Sequence, residues 1–241
     1  MKEGVKKVGL ISNEADFMIH GLFSYEAFGQ TFWITTTHVG MIIITALFIV
    51  LGLVAHHRMK KAEEIPGTLQ NILELIVEML DKLVHTNMGK YAGKFANYIA
   101  TLFLFVLISN ISGIFGLRSP TADYGVTLML ALITFAMIQF NGIKHQKLGH
   151  FTALFKPIPL LFPINLIGEL ATPLSMSLRL FANMLSGTII LALWYGLIPI
   201  FLKIGVPAFL HVYFDLFSGC IQTYVFCMLT MIFVTDKIGE S

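Results

Sequence analysis

Residues 157–202 read PIPLLFPINLIGELATPLSMSLRLFANMLSGTIILALWYGLIPIFL, and how this stretch is laid across a membrane decides the fold. Between Lys156 and Lys203 the only charges are Glu169 and Arg179. Wholly helical, it would extend about 69 Å at 1.5 Å per residue, more than twice the roughly 30 Å hydrocarbon core of a bilayer. Two crossings satisfy its hydropathy, and so does one long, strongly tilted helix after an irregular start at Pro157-Ile158-Pro159. The next stretch, from Lys203 to Asp236, holds a single internal charge, Asp215.

The rest of the chain has the same character. Its 241 residues are 56% hydrophobic and 12% charged, half the charged share of an ordinary soluble domain. Apolar runs long enough to cross as helices, without period-2 alternation, imply a helical membrane protein and not a barrel. A net charge of +2, spread over loops, points neither to nucleic acid nor to an acidic substrate. Cys220 and Cys227 lie about 10 Å apart along one helix, too far for an intrahelical disulfide.

A first span is expected from about Thr35 to His57, followed by a basic edge of His56, His57, Arg58, Lys60 and Lys61. Residues 1–34 carry no continuous apolar core behind their early lysines and read as an N-terminal segment outside the cytoplasm, not a cleaved signal. From Pro66 to about Asn87, Ile72, Leu75, Ile76, Met79, Leu80 and Leu83 mark an apolar face, with Glu74, Glu78, Asp81 and Lys82 on another. That pattern predicts an amphipathic helix at the interface, over 66–87. Spans follow at about Phe95–Leu117 and Asp123–Asn141, joined by a short Pro-containing loop, Arg118 to Asp123. Basic-residue bias then places the amino terminus outside and the carboxyl terminus inside a bacterial-type plasma membrane. The expected fold class is an all-α integral membrane protein, a single membrane domain over 1–241. It has about five transmembrane helices, the last two, over 157–236, long and tilted.

Two polar stripes interrupt the apolar helices. Thr172, Ser175, Arg179, Asn183, Ser186 and Gly187 fall on one face at helical spacing. A permanently protonated guanidinium at a bilayer centre costs roughly 2.5 to 3.5 kcal/mol even on the lenient insertion scale, so Arg179 requires a compensating partner or water. Ser, Thr and Gly on such a face are ordinary packing residues; Arg179 and Asn183 call for more. Asp215, Gly219, Gln222, Phe226 and Thr230 form the second stripe, and a structural Arg179–Asp215 ion pair is the plain alternative to an ion-relay role for Asp215. The histidines, His20, His38, His85, His145, His150 and His211 among them, show no metal-ligand spacing, and no P-loop occurs. No metal and no cofactor is expected.

Ser-Leu-Arg-Leu-Phe-Ala-Asn-Met-Leu-Ser-Gly, residues 177 to 187, resembles the signature of subunit a of F-type ATP synthases. Pro173-Leu174, Pro120 to Leu128, and Gln222 with Leu229-Thr230 are similar to that family as well; the likeness covers roughly residues 95 to 236. It implies that Arg179 faces a rotating ring of c subunits whose carboxylates carry protons or sodium ions. It further implies two aqueous half-channels, peripheral-stalk b subunits as neighbours, and ATP chemistry confined to a separate catalytic sector. Glu169, Ser175, Asn183, Ser186, Thr188, Asp215 and Gln222 would line or support the channels. Many relatives have glycine where Ala182 stands and a carboxylate where Thr188 stands; a threonine cannot relay a proton as an acid. Asp215 stands where similar proteins often hold a titratable residue. A self-contained ion or solute transporter is the alternative that the buried charges also fit.

Overall fold

The computed structural model describes residues 21–27, 30–60, 67–115, 117, 119–146, 149, 155, 159–197 and 206–239. Residues 1–20, Lys61, Pro66, Arg118, Lys147, Lys156 to Ile158 and Lys203, used above to place loops and ends, lie outside them. A hairpin of two antiparallel strands, β1 (Gly21–Ala27) and β2 (Gln30–Thr35), precedes the helices. It is confined to the segment ahead of the first span, and the membrane-crossing part is all-α as expected. The helices are α1 (Thr36–Met59), α2 (Thr68–Met88), α3 (Ala92–Ile111), α4 (Tyr124–Gln146), α5 (Phe162–Leu197), α6 (Val206–His211) and α7 (Gly219–Ile238). A π-helical segment, Val212–Ser218, joins α6 to α7.

Five helices are long and apolar enough to cross a membrane: α1, α3, α4, α5 and the final helix that runs from α6 through the π segment into α7. The ambiguous stretch is one unbroken 36-residue helix, so a single passage is correct and the two-crossing alternative is not. At about 54 Å, α5 exceeds the hydrocarbon core and must run obliquely or emerge from it. Pro173 lies inside it; having no N–H, it leaves the carbonyl of Glu169 without its helical donor and favours a bend there.

The amphipathic helix behaves in two halves. Leu80, Val84 and Met88 of α2 are buried against α3 and α7, whereas Leu69, Ile72, Leu75 and Met79 stay exposed. Gly89 ends α2 with φ +49, a left-handed backbone that a side chain would strain, and lets the chain turn into α3. The core then runs through Phe95, Ile99, Leu102 and Val106 of α3, Ala131 and Ile138 of α4, Met176 and Leu180 of α5, and Phe226, Cys227, Met231 and Val234 of α7. Helix α1 is peripheral: Thr37, Gly40 and Ile44 are its buried residues.

The Pro-containing connection between α3 and α4 is buried where it meets the bundle. Pro120, Thr121 and Ala122 form a buried 3-10 turn. Thr121 donates its hydroxyl to Oδ1 of Asn110 at 2.6 Å; the Asn110 amide donates to the carbonyl of Gly219 at 3.0 Å and to the Thr223 hydroxyl at 3.1 Å. Ser119 donates to the carbonyl of Ser109 at 2.7 Å. This polar knot, sealed from solvent, locks the end of α3 to the start of α7 and so fixes the π segment between α6 and α7.

Candidate functional site

Arg179 sits on the face of α5 turned away from its own bundle. Pro173, Met176, Leu180, Met184, Gly187 and Leu191 are buried, while Ser175, Arg179, Ala182 and Ser186 are exposed in one row. Among the described residues Arg179 has neither a hydrogen bond nor an ion pair. The single polar stripe expected from the sequence is therefore two. Asn183, next to Arg179 on a helical wheel, turns inward: its amide donates to the Ser218 hydroxyl at 2.9 Å and its Oδ1 accepts from that hydroxyl at 3.0 Å. Gly187 also faces inward, where an added Cβ would lie 3.1 Å from Cβ of Phe214. Ser186 donates to the carbonyl of Asn183 and Thr188 to that of Met184, both at 2.9 Å within their own helix.

Glu169 lies about 15 Å from Arg179 along the axis, ten residues toward the helix start. Nζ of Lys237 reaches its two carboxylate oxygens at 2.6 and 2.8 Å, and Nε2 of Gln139 donates to Oε1 at 2.6 Å. Three helices, α4, α5 and α7, thus meet on one carboxylate. The sequence gives no local sign of this cluster, since Glu169 and Lys237 are 68 residues apart.

At the far end of α5 and α7 lies the second acid. Asp215 is buried at 6% exposure, and its Oδ2 is 2.6 Å from Nδ1 of His211, one turn earlier in the same helix. Nε2 of His211 meets the hydroxyl of Tyr195 on α5 at 3.3 Å. Asp215 also packs on Gly113, where an added Cβ would come within 2.8 Å of the carboxyl group. The plain alternative of an Arg179–Asp215 pair is excluded, because Asp215 is paired with His211. The spacing of His211 and Asp215, four residues apart in one apolar run, was the available signal for this pair. Of the remaining residues in the Asp215 stripe, Gly219, Phe226 and Thr230 are buried and Gln222 is half-buried. Among the described residues no three His, Cys, Asp or Glu side chains converge to hold a metal ion.

The sequence profile of the ATP synthase A chain matches residues 38–235. The chain belongs to that family. It is 41% identical over 218 residues, 83% of this chain and 74% of the relative, to "ATP synthase subunit a, sodium ion specific" of Propionigenium modestum. Similar proteins named "ATP synthase subunit a" occur in Sulfurihydrogenibium sp., at 34% over 83% of this chain and 94% of the relative, and in Limosilactobacillus fermentum, at 34% over 90% and 98%. Membership in the ATP synthase A chain family and five membrane-crossing helices agree on a multi-pass membrane protein with a part in ATP synthesis and ion transport. For a member of this family, the arrangement offers one unpaired cation on an open face, between two paired acids at opposite ends of the bundle.

Proposed function

We propose that this chain is the ion-translocating stator subunit of a rotary F-type ATP synthase, with Arg179 facing the carboxylates of a c ring across the open row of α5. The observation that carries the reading is Arg179 itself, a fixed cation exposed on a hydrophobic helix and paired with no acid among the described residues. In lipid such a group is unfavourable, so a protein partner that brings negative charge is the arrangement that stabilises it. A ring carboxylate carries its ion in neutral form; near Arg179 the anion is stabilised by Coulomb attraction and the proton or sodium ion is released. Because the guanidinium is not consumed by an internal pair, it is free to meet each arriving carboxylate in turn. Two aqueous half-channels, one toward each membrane face, supply and drain the ring. Glu169 and Asp215, with the half-buried Gln222, supply polar groups toward those paths, and Ser175 and Ser186 flank the arginine. The amino terminus lies outside and the carboxyl terminus in the cytoplasm, in keeping with His56 to Lys60 and Lys144-His145 at the same side of an odd number of spans. A b-type stalk subunit finds apolar surface on the peripheral α1.

The test is the assembled complex in sealed vesicles. Arg179→Ala should leave assembly intact, abolish ion-driven ATP synthesis and open a passive leak. Arg179→Lys should fail almost as completely, since a point-charge amine that can lose its proton does not replace a planar, permanently charged fork. Ordinary synthesis by an assembled Arg179→Ala complex would sink the reading, as would transport by the purified chain without ring subunits, which the self-contained transporter requires.

A further inference from the structure

The His211–Asp215 pair is an unusual use of charge. It joins two residues of one helix at i and i+4, so the pair itself ties no helices together, and the Asn110 and Asn183 contacts with Gly219 and Ser218 already hold the junction of the π segment with α7. Exposure rises stepwise outward: the Asp215 side chain is 9% exposed, that of His211 28%, and Tyr195 44%. A chain of polar contacts thus leads from the exposed end of α5 to a buried carboxylate.

The hydrogen-bond chemistry admits two charge states without rearrangement. An ionised carboxylate only accepts, so Nδ1 of His211 carries its proton toward Oδ2 of Asp215. Nε2 then has a free lone pair, and the Tyr195 hydroxyl donates to it. When a proton is added at Nε2, that nitrogen becomes a donor and the Tyr195 oxygen, after rotation of its hydroxyl, accepts. In the first state the pair carries one negative charge; in the second, none. Histidine is the side chain that makes such a change between about pH 5 and 8.

Tyr213, the other ionisable residue of the π segment besides Asp215, is exposed and set against the rings of Phe214 and Phe217. The elements packed on the π segment are α3, the 3-10 turn Ser112–Phe115, α5, α6 and α7. Tyr195 is the titratable residue that α5 brings to His211. Residues 101–111 of α3 and 112–115 of the turn contain no ionisable side chain, α6 contributes only His211, and Cys220 is the first ionisable residue of α7. Arg179, on the outward row, stands about 24 Å from Tyr195 along the axis.

We propose that His211, gripped between Asp215 and Tyr195, is a proton-operated control on ion access to the outer half-channel: neutral, it leaves Asp215 a net anion that draws a cation inward; protonated, it cancels that anion. The inference rests on the ion-translocating reading above, and it adds a residue and a charge state to it. Only one proton is bound and released, at Nε2, in exchange with water on the outer side.

The experiment uses whole complexes in vesicles with the catalytic sector facing the medium, so that the lumen corresponds to the outer side. Medium pH is fixed, lumen pH is varied over about 5.5 to 8, and a potassium diffusion potential is adjusted to hold the total ion-motive force constant. The quantity read is the ratio of ATP synthesis by wild type to that by His211→Gln, which cancels effects of driving force and ion supply. Glutamine cannot be protonated and leaves Asp215 charged throughout, so the ratio should fall roughly three- to tenfold on acidification, the scale set by one unit charge at about 12 Å and an effective dielectric near 20. A pH-independent ratio overturns the proposal. His211→Asn serves the same comparison if the Gln complex does not assemble. An Arg179→Ala control separates the two readings: if wild type makes ATP and this control does not, a flat ratio counts against His211 alone, whereas silent wild-type vesicles count against both.

Discussion

The two ends of the α5–α7 pair each carry a carboxylic acid and use it in opposite ways. At one end Glu169 is clasped by Lys237 and Gln139, so that three helices converge on one carboxylate. At the other, about 33 Å away along the final helix, Asp215 is held by a histidine of its own helix, inside a π-helical segment and against a glycine. The first cluster joins three helices; the second lies within one helix and reaches α5 through Tyr195. On the proposed reading one holds helices together and the other responds. π-Helical turns are rare and concentrate at functional positions, which is consistent with this division.

The contrast is broken most forcefully by removing each acid. Asp215→Asn should assemble and melt like wild type yet lose most of its ion-driven synthesis. Glu169→Gln should instead lower the stability of the detergent-solubilised complex by about 1 to 3 kcal/mol, between the values for exposed and buried pairs, as read from its thermal midpoint. If Asp215→Asn destabilises more than Glu169→Gln, the assignment of roles is reversed. A smaller effect is expected from Gly113→Ala, whose Cβ would press on the Asp215 carboxyl. Synthesis should decline severalfold while the complex stays assembled, and an unchanged rate would show that the position of Asp215 is unimportant. Ser218→Ala should have the smallest effect, a loss of about 0.5 to 1.5 kcal/mol from the hydrogen bonds with Asn183, with coupling retained. A complete functional loss there would move Asn183 and Ser218 from packing into the ion path.

The spans were legible because hydrocarbon leaves a chain few choices: long apolar runs mark α1, α3, α4, α5 and the last helix directly. Whether residues 157–202 cross once or twice was not legible, since hydropathy counts length and not continuity; the inward-facing row from Met176 to Leu191 keeps α5 whole. The Pro120 turn reads as a loop by composition, yet its Thr121 completes the Asn110 knot, a contact between residues whose partners lie more than a hundred positions on. The row containing Arg179 was visible at helical spacing. That Asn183 leaves this row was not, because the 40° between positions i and i+4 suffices to turn one side chain outward and the other onto Ser218. Lys237 and Gln139 as partners of Glu169 are products of tertiary folding alone. The π segment has no compositional mark, so the chemistry of His211 with Asp215 could be suspected only from their spacing.

The small side chains that flank Arg179 have a mechanical meaning. Ser175, Ala182 and Ser186 leave the exposed row of α5 low around Arg179, with Leu178 exposed beside it. Packed helices ordinarily mesh, knob into hole, and that meshing sets a preferred register and a barrier to sliding. Short side chains around one charged group give a partner less to catch on. On the proposed reading such a face would serve a passing ring as a bearing, with the preferred stopping point for each carboxylate set by charge and not by shape.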